Sequence, residues 1–283
     1  MILIADSGST KTDWALTGNA LSEPLRFHTQ GINLFHQRAA QVVSILQEEL
    51  LPQITAARVA AEEVAGIYFY GAGCTPSVAP QVAALLSEVF PKAEVSADSD
   101  LLGAARAVLG HNAGIACILG TGSNSCLYDG TCITQHVPPL GYILGDEGSG
   151  AALGRRFLNG VFKGWLSAAV KDAFLAETQQ TYEDIIRRVY QEPMANRYLA
   201  SIAPFVVRHI NDTGIRQLVA DNFEGFFRYN ILRYDTTLRS VACVGGVAAH
   251  LETVFREVAA RHQFAVTRII KSPIEGLIEY HRV

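Results

Sequence analysis

Asp6-Ser-Gly-Ser-Thr-Lys-Thr-Asp13 gathers the groups that a phosphate-binding turn requires. Gly8 lets the backbone approach phosphate oxygens, Ser9, Thr10 and Thr12 bring hydroxyls, and Lys11 brings a cation. Asp6 closes the apolar run that begins at Ile2, where a carboxylate can hold Mg2+ through water. An ordinary hairpin turn also favours Gly, Ser and Thr, and this segment alone divides evenly between the two readings. It is not a Walker loop: no G-x-x-x-x-G-K-[ST] string is present, and Lys11 follows its glycine too closely. Gly120-Thr121-Gly122-Ser123-Asn124 repeats the arrangement, after one expected strand and before another. Two such turns, each opening a similar half of the chain, are far less expected by accident than one. Paired turns of this kind can hold a triphosphate between two lobes. A third element, Val241-Ala-Cys-Val-Gly-Gly-Val-Ala248, ends a buried strand in Gly245-Gly246. A turn without side chains lets a flat ring lie against the backbone, although Gly-Gly after a strand is also a common packing device.

The elements that must position these turns follow from hydrophobic pattern and turn residues. Strands are expected at Ile2–Ala5, Trp14–Leu16 and Leu25–His28, then a helix from about Gln37 to Leu51 with Pro52 as its stop. Gly66–Tyr70 reads as a buried strand, Pro76–Phe90 as a helix with proline in its first turn, and Ala93–Ala97 as a strand leading to a helix near Ser99. The pattern then restarts with strands Gly114–Leu119 and Ser125–Tyr128 and a hairpin turn at Asp129-Gly130. Nearly everything from Ser149 to Tyr234 has helical character. Strand Val241–Val244, helix Ala248–Arg261, strand Val266–Ile270 and a helix after Pro273 complete the chain. Two rounds of the same pattern imply a duplicated α/β fold. The halves are expected at 1–111, which the last helix at 273–283 can join, and at 112–272 with a helical insertion.

Bulk properties agree with this reading. The chain has 283 residues, 49% of them hydrophobic, enough for two cores. A net charge of -4 argues against nucleic acid or an anionic membrane as a general partner. The N-terminal apolar run is too short for a signal peptide or a span, and no stretch reaches about 18 apolar residues. Cys74, Cys117, Cys126, Cys132 and Cys243 form no Cys-x-x-Cys pair and read as reduced thiols of a cytoplasmic protein. The eight histidines show no metal-ligand spacing. Gly148-Ser-Gly-Ala-Ala-Leu-Gly154 follows no strand and has the wrong spacing for a dinucleotide fingerprint.

The order of these three motifs, together with Gly145-Asp-Glu-Gly-Ser149, resembles the superfamily of sugar kinases, actin and heat-shock chaperones. Within it the chain is similar, over nearly its whole length, to the N-acetylglucosamine kinase and benzoyl-CoA-reductase-activator ATPase family. The resemblance implies a two-lobed actin-like ATPase fold, a duplicated ribonuclease H-like α/β architecture with a nucleotide cleft between the lobes. It implies ATP and Mg2+ as cofactors, with Gly8, Ser9, Thr10, Lys11, Thr12, Gly120, Thr121, Gly122 and Ser123 around the phosphates and Gly245 and Gly246 under adenosine. It makes Asp100, in Ala97-Asp-Ser-Asp-Leu-Leu-Gly103, the catalytic base that accepts a proton from the attacking hydroxyl. Asp98, Ser99 and Asp100 would all serve equally as helix caps.

By the same resemblance Asp146, Asn33, Gly141 and Thr121 join Asp100 around a sugar. The bland readings are a helix cap for Asp146 and a turn residue for Asn33. Two departures bear on the sugar: Pro139-Leu140-Gly141 stands where the amino-sugar kinases have Gly-Trp-Gly, and Ser125 where they have cysteine. The expected function is phosphorylation of N-acetylglucosamine or a bulkier relative such as N-acetylmuramic acid, and the family implies a homodimer. The alternatives are an ATP-driven activator of an iron–sulfur enzyme and a non-catalytic sensor.

Overall fold

The computed structural model describes residues 1–8, 10–34 and 37–282. The chain divides into two compact units, the first formed by Met1–Asn112, Gly130–Cys132 and the segment from Pro273 onward, the second by Ala113–Asp129 and Ile133–Ser272.

The first unit is built on strands β1 (Ile2–Ser7), β2 (Lys11–Thr17), β3 (Leu25–Gln30), β4 (Gly66–Gly71) and β5 (Glu94–Ser99), in the order β3-β2-β1-β4-β5. β1, β2 and β3 form an antiparallel meander, while β4 and β5 run parallel to β1. Side chains alternate across a sheet, so each strand feeds two faces. Leu3, Ala5, Trp14, Phe27, Ile67 and Phe69 share one buried cluster with Val42, Leu46, Ile54, Val82 and Leu86 of the helices that follow β3 and β4. The opposite face carries the polar residues described below.

One expected helix differs in its end. The helical run does not stop at Pro52 but continues to Ala56. A π-helical turn, Ile45–Leu50, precedes the proline, and the Leu51 N–H reaches back to the Leu46 carbonyl. Widening the helix by one residue there accommodates the proline ring and its missing donor, which an unbroken α-helix would not.

The second unit repeats the sheet. β6 (Gly114–Leu119), β7 (Ser123–Tyr128), β8 (Ile133–His136), β9 (Ser240–Val244) and β10 (Ala265–Ile270) run in the order β10-β9-β6-β7-β8. The β6-β7-β8 part is antiparallel, and β9 and β10 run parallel to β6. The stretch between β8 and β9 is helical, and its core is aromatic: Phe157, Phe174, Phe223, Phe226 and Phe227 are all fully buried, as is Phe255 from a helix after β9. The helix expected at Ala248–Arg261 is two helices, Gly246–His250 and Glu252–Arg261, broken at Leu251. Among the described residues no helix is long and apolar enough to cross a membrane.

Candidate active site

Strand register brings together residues that are far apart in sequence. Asp13 lies opposite His28, Asp6 opposite Asp13, Tyr70 opposite Asp6, and Asp98 opposite Tyr70. Register mates point to the same face, so His28, Asp13, Asp6, Tyr70 and Asp98 form one polar row across all five strands of the first unit.

The charges in this row are unevenly balanced. The buried Asp13 carboxylate pairs with Lys11 Nζ at 2.7 Å and with His28 Nδ1 at 2.7 Å. The Asp6 carboxylate, beside it, makes no hydrogen bond or ion pair among the described residues. Burial, with the Asp100 and Asp13 carboxylates nearby, pushes Asp6 up to about 7, against a smaller opposing pull from Lys11. Among the described residues no three acidic, His or Cys side chains gather as a direct metal site, so Asp6 is a single carboxylate that could hold a hydrated divalent ion through water.

Asp100 is the first residue of the helix Asp100–Leu109, which follows β5 directly. Of the three capping candidates the hydroxyl of Ser99 caps the helix, accepting from the Leu102 N–H at 3.2 Å. Asp100 is thereby relieved of capping. Burial raises its pKa, and hydrogen bonds from the backbone N–H groups of Leu101 and Asp100 itself offset part of that rise. A carboxylate with a raised pKa is a better proton acceptor near neutrality than an ordinary one.

The first turn is tied down by backbone bonds and by a buried hydroxyl. The Gly8 N–H donates to the Lys11 carbonyl at 3.0 Å, and the Gly31 N–H to the Thr10 carbonyl at 3.1 Å. Gly8 and Thr10 are exposed; Ser9 lies outside the described residues. Thr12, expected at the phosphates, is fully buried instead: its hydroxyl bonds Ser7 Oγ at 2.7 Å and the Gln30 carbonyl at 3.1 Å. It braces the turn from beneath because its position in β2 points inward. The Lys11 side chain is exposed but held by Asp13. Asn33 follows β3 and donates its N–H to Gln37 Oε1 at 2.8 Å.

In the second unit Gly120-Thr121-Gly122 turns between β6 and β7, with the Gly120 N–H bonded to the Gly122 carbonyl at 3.0 Å. The Gly120 and Thr121 carbonyls accept the N–H groups of Gly150 and Ala151 at 2.8 and 3.1 Å, docking the turn on the start of the helix Gly150–Lys163. Among the described residues the N–H groups of Thr121 and Gly122 have no partner, and they remain for a ligand. Ser149 Oγ caps that helix at the Ala152 N–H. Asp146 is not a cap: its carboxylate accepts from the Ser123 N–H at 3.4 Å, beside Gly122. Its backbone is left-handed, φ 55°, and the Pro139 carbonyl holds its N–H at 2.9 Å. Burial pushes its carboxyl up to about 6. Gly141 opens the short exposed helix Gly141–Leu144, and Leu140 precedes it with φ 62°. Ser125, which the sequence comparison set near the sugar, is fully buried with its hydroxyl on Tyr234 Oη at 2.8 Å.

A cavity of 560 Å³ opens beside this turn. Gly120, Thr121 and Gly150 line one end, Gly246 and Val247 the floor, and Ala203, Pro204, Val207 and Leu251 apolar walls, with Arg208 and His250 as polar side chains. Gly245 precedes the floor with φ 126°, and a Cβ there would collide with the Leu119 carbonyl. Only glycine suits that position. A slot walled by aliphatic side chains beside free N–H groups fits a flat heterocycle joined to a polyanion. Gly120, Thr121 and Gly246 were singled out from sequence, but the walls at 203–208 and His250 were not. They lie in a helical stretch whose pattern serves core and pocket alike.

The polar row and the duplicated meander sheets define an actin-like ATPase fold. A candidate N-acetylglucosamine kinase from Porphyromonas gingivalis shares 44% sequence identity with the chain and superposes with a TM-score of 0.93, covering 99% of this chain and 98% of that one. A second candidate N-acetylglucosamine kinase, from Chromobacterium violaceum, has a TM-score of 0.72 at 18% identity over 100% and 99% of the two chains. A ROK family glucokinase from Streptomyces griseus, solved with glucose and AMPPNP, has a TM-score of 0.56 at 12% identity over 99% and 97%. The latter two share the fold alone. No family model and no curated protein matches the chain. The chain belongs to the N-acetylglucosamine kinase-type family of the actin-like ATPases.

Proposed function

We propose that the protein is an ATP-dependent kinase that phosphorylates a hydroxyl of an amino sugar, N-acetylglucosamine or a relative such as N-acetylmuramic acid. The observation that carries this reading is the placement of Asp6 in the polar row of the first sheet with Asp100 at the start of the helix that follows β5, the Asp100 charge being near enough to raise the pKa of Asp6. Family membership at 44% identity supports the kinase class over an ATPase switch.

In this reading the 560 Å³ cavity takes adenosine. The N–H groups of Thr121 and Gly122, with Gly8, Thr10 and Lys11, receive phosphate oxygens. Asp6 would hold Mg2+ through water; that ion, when bound, neutralises phosphate charge. Asp100 accepts the proton of the acceptor hydroxyl as its oxygen bonds to the γ-phosphorus and ADP departs. Asp146, ionised, accepts hydrogen bonds from sugar hydroxyls, and Asn33 and Gly141 orient the same ring. The exposed Leu140 gives the sugar's acyl side an apolar neighbour, which suits a bulky substituent.

ADP release measured across hexoses and N-acetyl amino sugars tests the proposal. Turnover stimulated by at least one amino sugar is expected; a rate that no sugar raises above the water-only value contradicts it.

A further inference from the structure

Tyr70, Arg106 and His281 are ionisable groups in or beside the polar row that the chemistry above does not use. Arg106 Nη1 donates to Tyr70 Oη at 2.8 Å, and Tyr70 Oη lies 2.8 Å from His281 Nε2. The guanidinium sits 5.7 Å from the Tyr70 ring centre and 5.2 Å from that of Tyr280. It lies 3.9 Å from Asp98 Oδ2. Arg106 can only donate, so the Tyr70 hydroxyl accepts from it and keeps its own proton to give to His281 Nε2. Burial and the nearby Arg106 cation push His281 down to about 4, in keeping with that direction. The His281 ring stacks on Tyr68 at 3.9 Å.

The position of Tyr70 gives the network its meaning. Along the sheet Tyr70 is the register mate of Asp6. Above the sheet it touches the helix that starts at Asp100, on a single face. A Cβ at Gly103 would come within 2.7 Å of the Tyr70 ring, so the helix rests directly on that ring. One turn further on, Arg106 grips the hydroxyl. Tyr70 thus links the strand beside Asp6 to the helix that begins at Asp100, with its ring against Gly103 and its hydroxyl held by Arg106 and His281.

We propose that Tyr70 and Arg106 are positioning residues for Asp100, fixing it relative to Asp6, with His281 of the C-terminal helix holding the tyrosine hydroxyl. This rests on Asp100 being the base. A misplacement of about 1 Å in a reacting group costs about a hundredfold in rate, so partial loosening of this brace has a smaller but measurable effect.

The test uses the full chain carrying Tyr70→Phe, Arg106→Met or Arg106→Lys. Sugar kinase kcat, KM for ATP and sugar, and Tm are measured for each. Tyr70→Phe keeps the ring under Gly103 and removes only the hydroxyl, so it is the variant least prone to misfold. The expected result is a fall in kcat of about tenfold for Tyr70→Phe and Arg106→Met. Both KM values stay within about twofold and Tyr70→Phe melts within a few degrees of the parent. Lysine keeps the charge and a donor but not the planar group over the Tyr70 and Tyr280 rings, so Arg106→Lys recovers part of the loss. Parental kcat in Tyr70→Phe overturns the proposal, as does a loss that appears only with a collapse in Tm or with KM rising in step. Asp100→Asn separates the two claims: if it retains parental kcat the base assignment fails, whereas an inactive Asp100→Asn beside fully active Tyr70 and Arg106 variants removes the brace alone.

Discussion

Replacing Asp100 by asparagine removes a proton acceptor while keeping the shape of the helix start, since Ser99 does the capping. Sugar-dependent turnover is expected to fall at least about a hundredfold, with nucleotide affinity retained in a fluorescent-nucleotide titration. Asp146 predicts a pH dependence. Its carboxyl, pushed up to about 6, must be ionised to accept from sugar hydroxyls, so kcat/KM for sugar declines as pH falls through about 6. A profile flat down to pH 5 counts against that role. Asp6 acts on stability with the opposite sign. Its folded pKa of about 7 lies above the ordinary 3.8, so the folded protein holds more protons than the unfolded chain between those values. Stability of the ligand-free protein therefore falls as pH rises through that window, and Asp6→Asn lessens the fall in Tm between pH 5 and 8. At this scale the sequence singled out Asp6, Asp100 and Asp146 because glycine-rich turns and a strand–helix junction flag them. The strand–helix junction alone did not separate Asp98 from Asp100; the family resemblance chose Asp100. The sequence could not find Tyr70 or His28, whose place in the row depends on strand register.

At the level of elements, the turn after β9 makes the sharpest demand. Gly245→Ala forces a left-handed side-chain-bearing residue against the Leu119 carbonyl, at a cost of about 1–3 kcal/mol in backbone strain alone. The floor of the 560 Å³ cavity shifts with it. Nucleotide Kd is expected to rise at least about tenfold, read by fluorescence titration beside a circular-dichroism melt; unchanged affinity would remove adenosine from this cavity. Most strands were legible because their apolar runs are bounded by glycine or turn residues, as at Gly66 and Gly114. Pro52 misled because a π-helical turn absorbs it, and such a widening leaves no mark in hydrophobic spacing. β8, four residues with an alternating half-buried pattern, carries too little signal alone; only the turn at Asp129-Gly130 pointed to a partner strand.

For the whole molecule, the repeated sheet order explains why two glycine-rich turns occur at equivalent places: each joins the first two strands of a meander. That duplication was legible in sequence because the same strand–turn–strand signal occurs twice. The walls of the cavity were not, since residues 203–208 come from the helical stretch peculiar to the second unit. If the nucleotide site is built as argued, a non-hydrolysable ATP analogue with Mg2+ at about 100 times its Kd stabilises the fold by about 2.7 kcal/mol, seen as a raised Tm. The central claim is transfer of a phosphoryl group to a sugar hydroxyl, not to water. Phosphorus-31 NMR of the protein with ATP, Mg2+ and each of several N-acetyl amino sugars follows that group directly. The account predicts a sugar phosphomonoester resonance growing in step with ADP for at least one of them; inorganic phosphate as the only product with every sugar would contradict it.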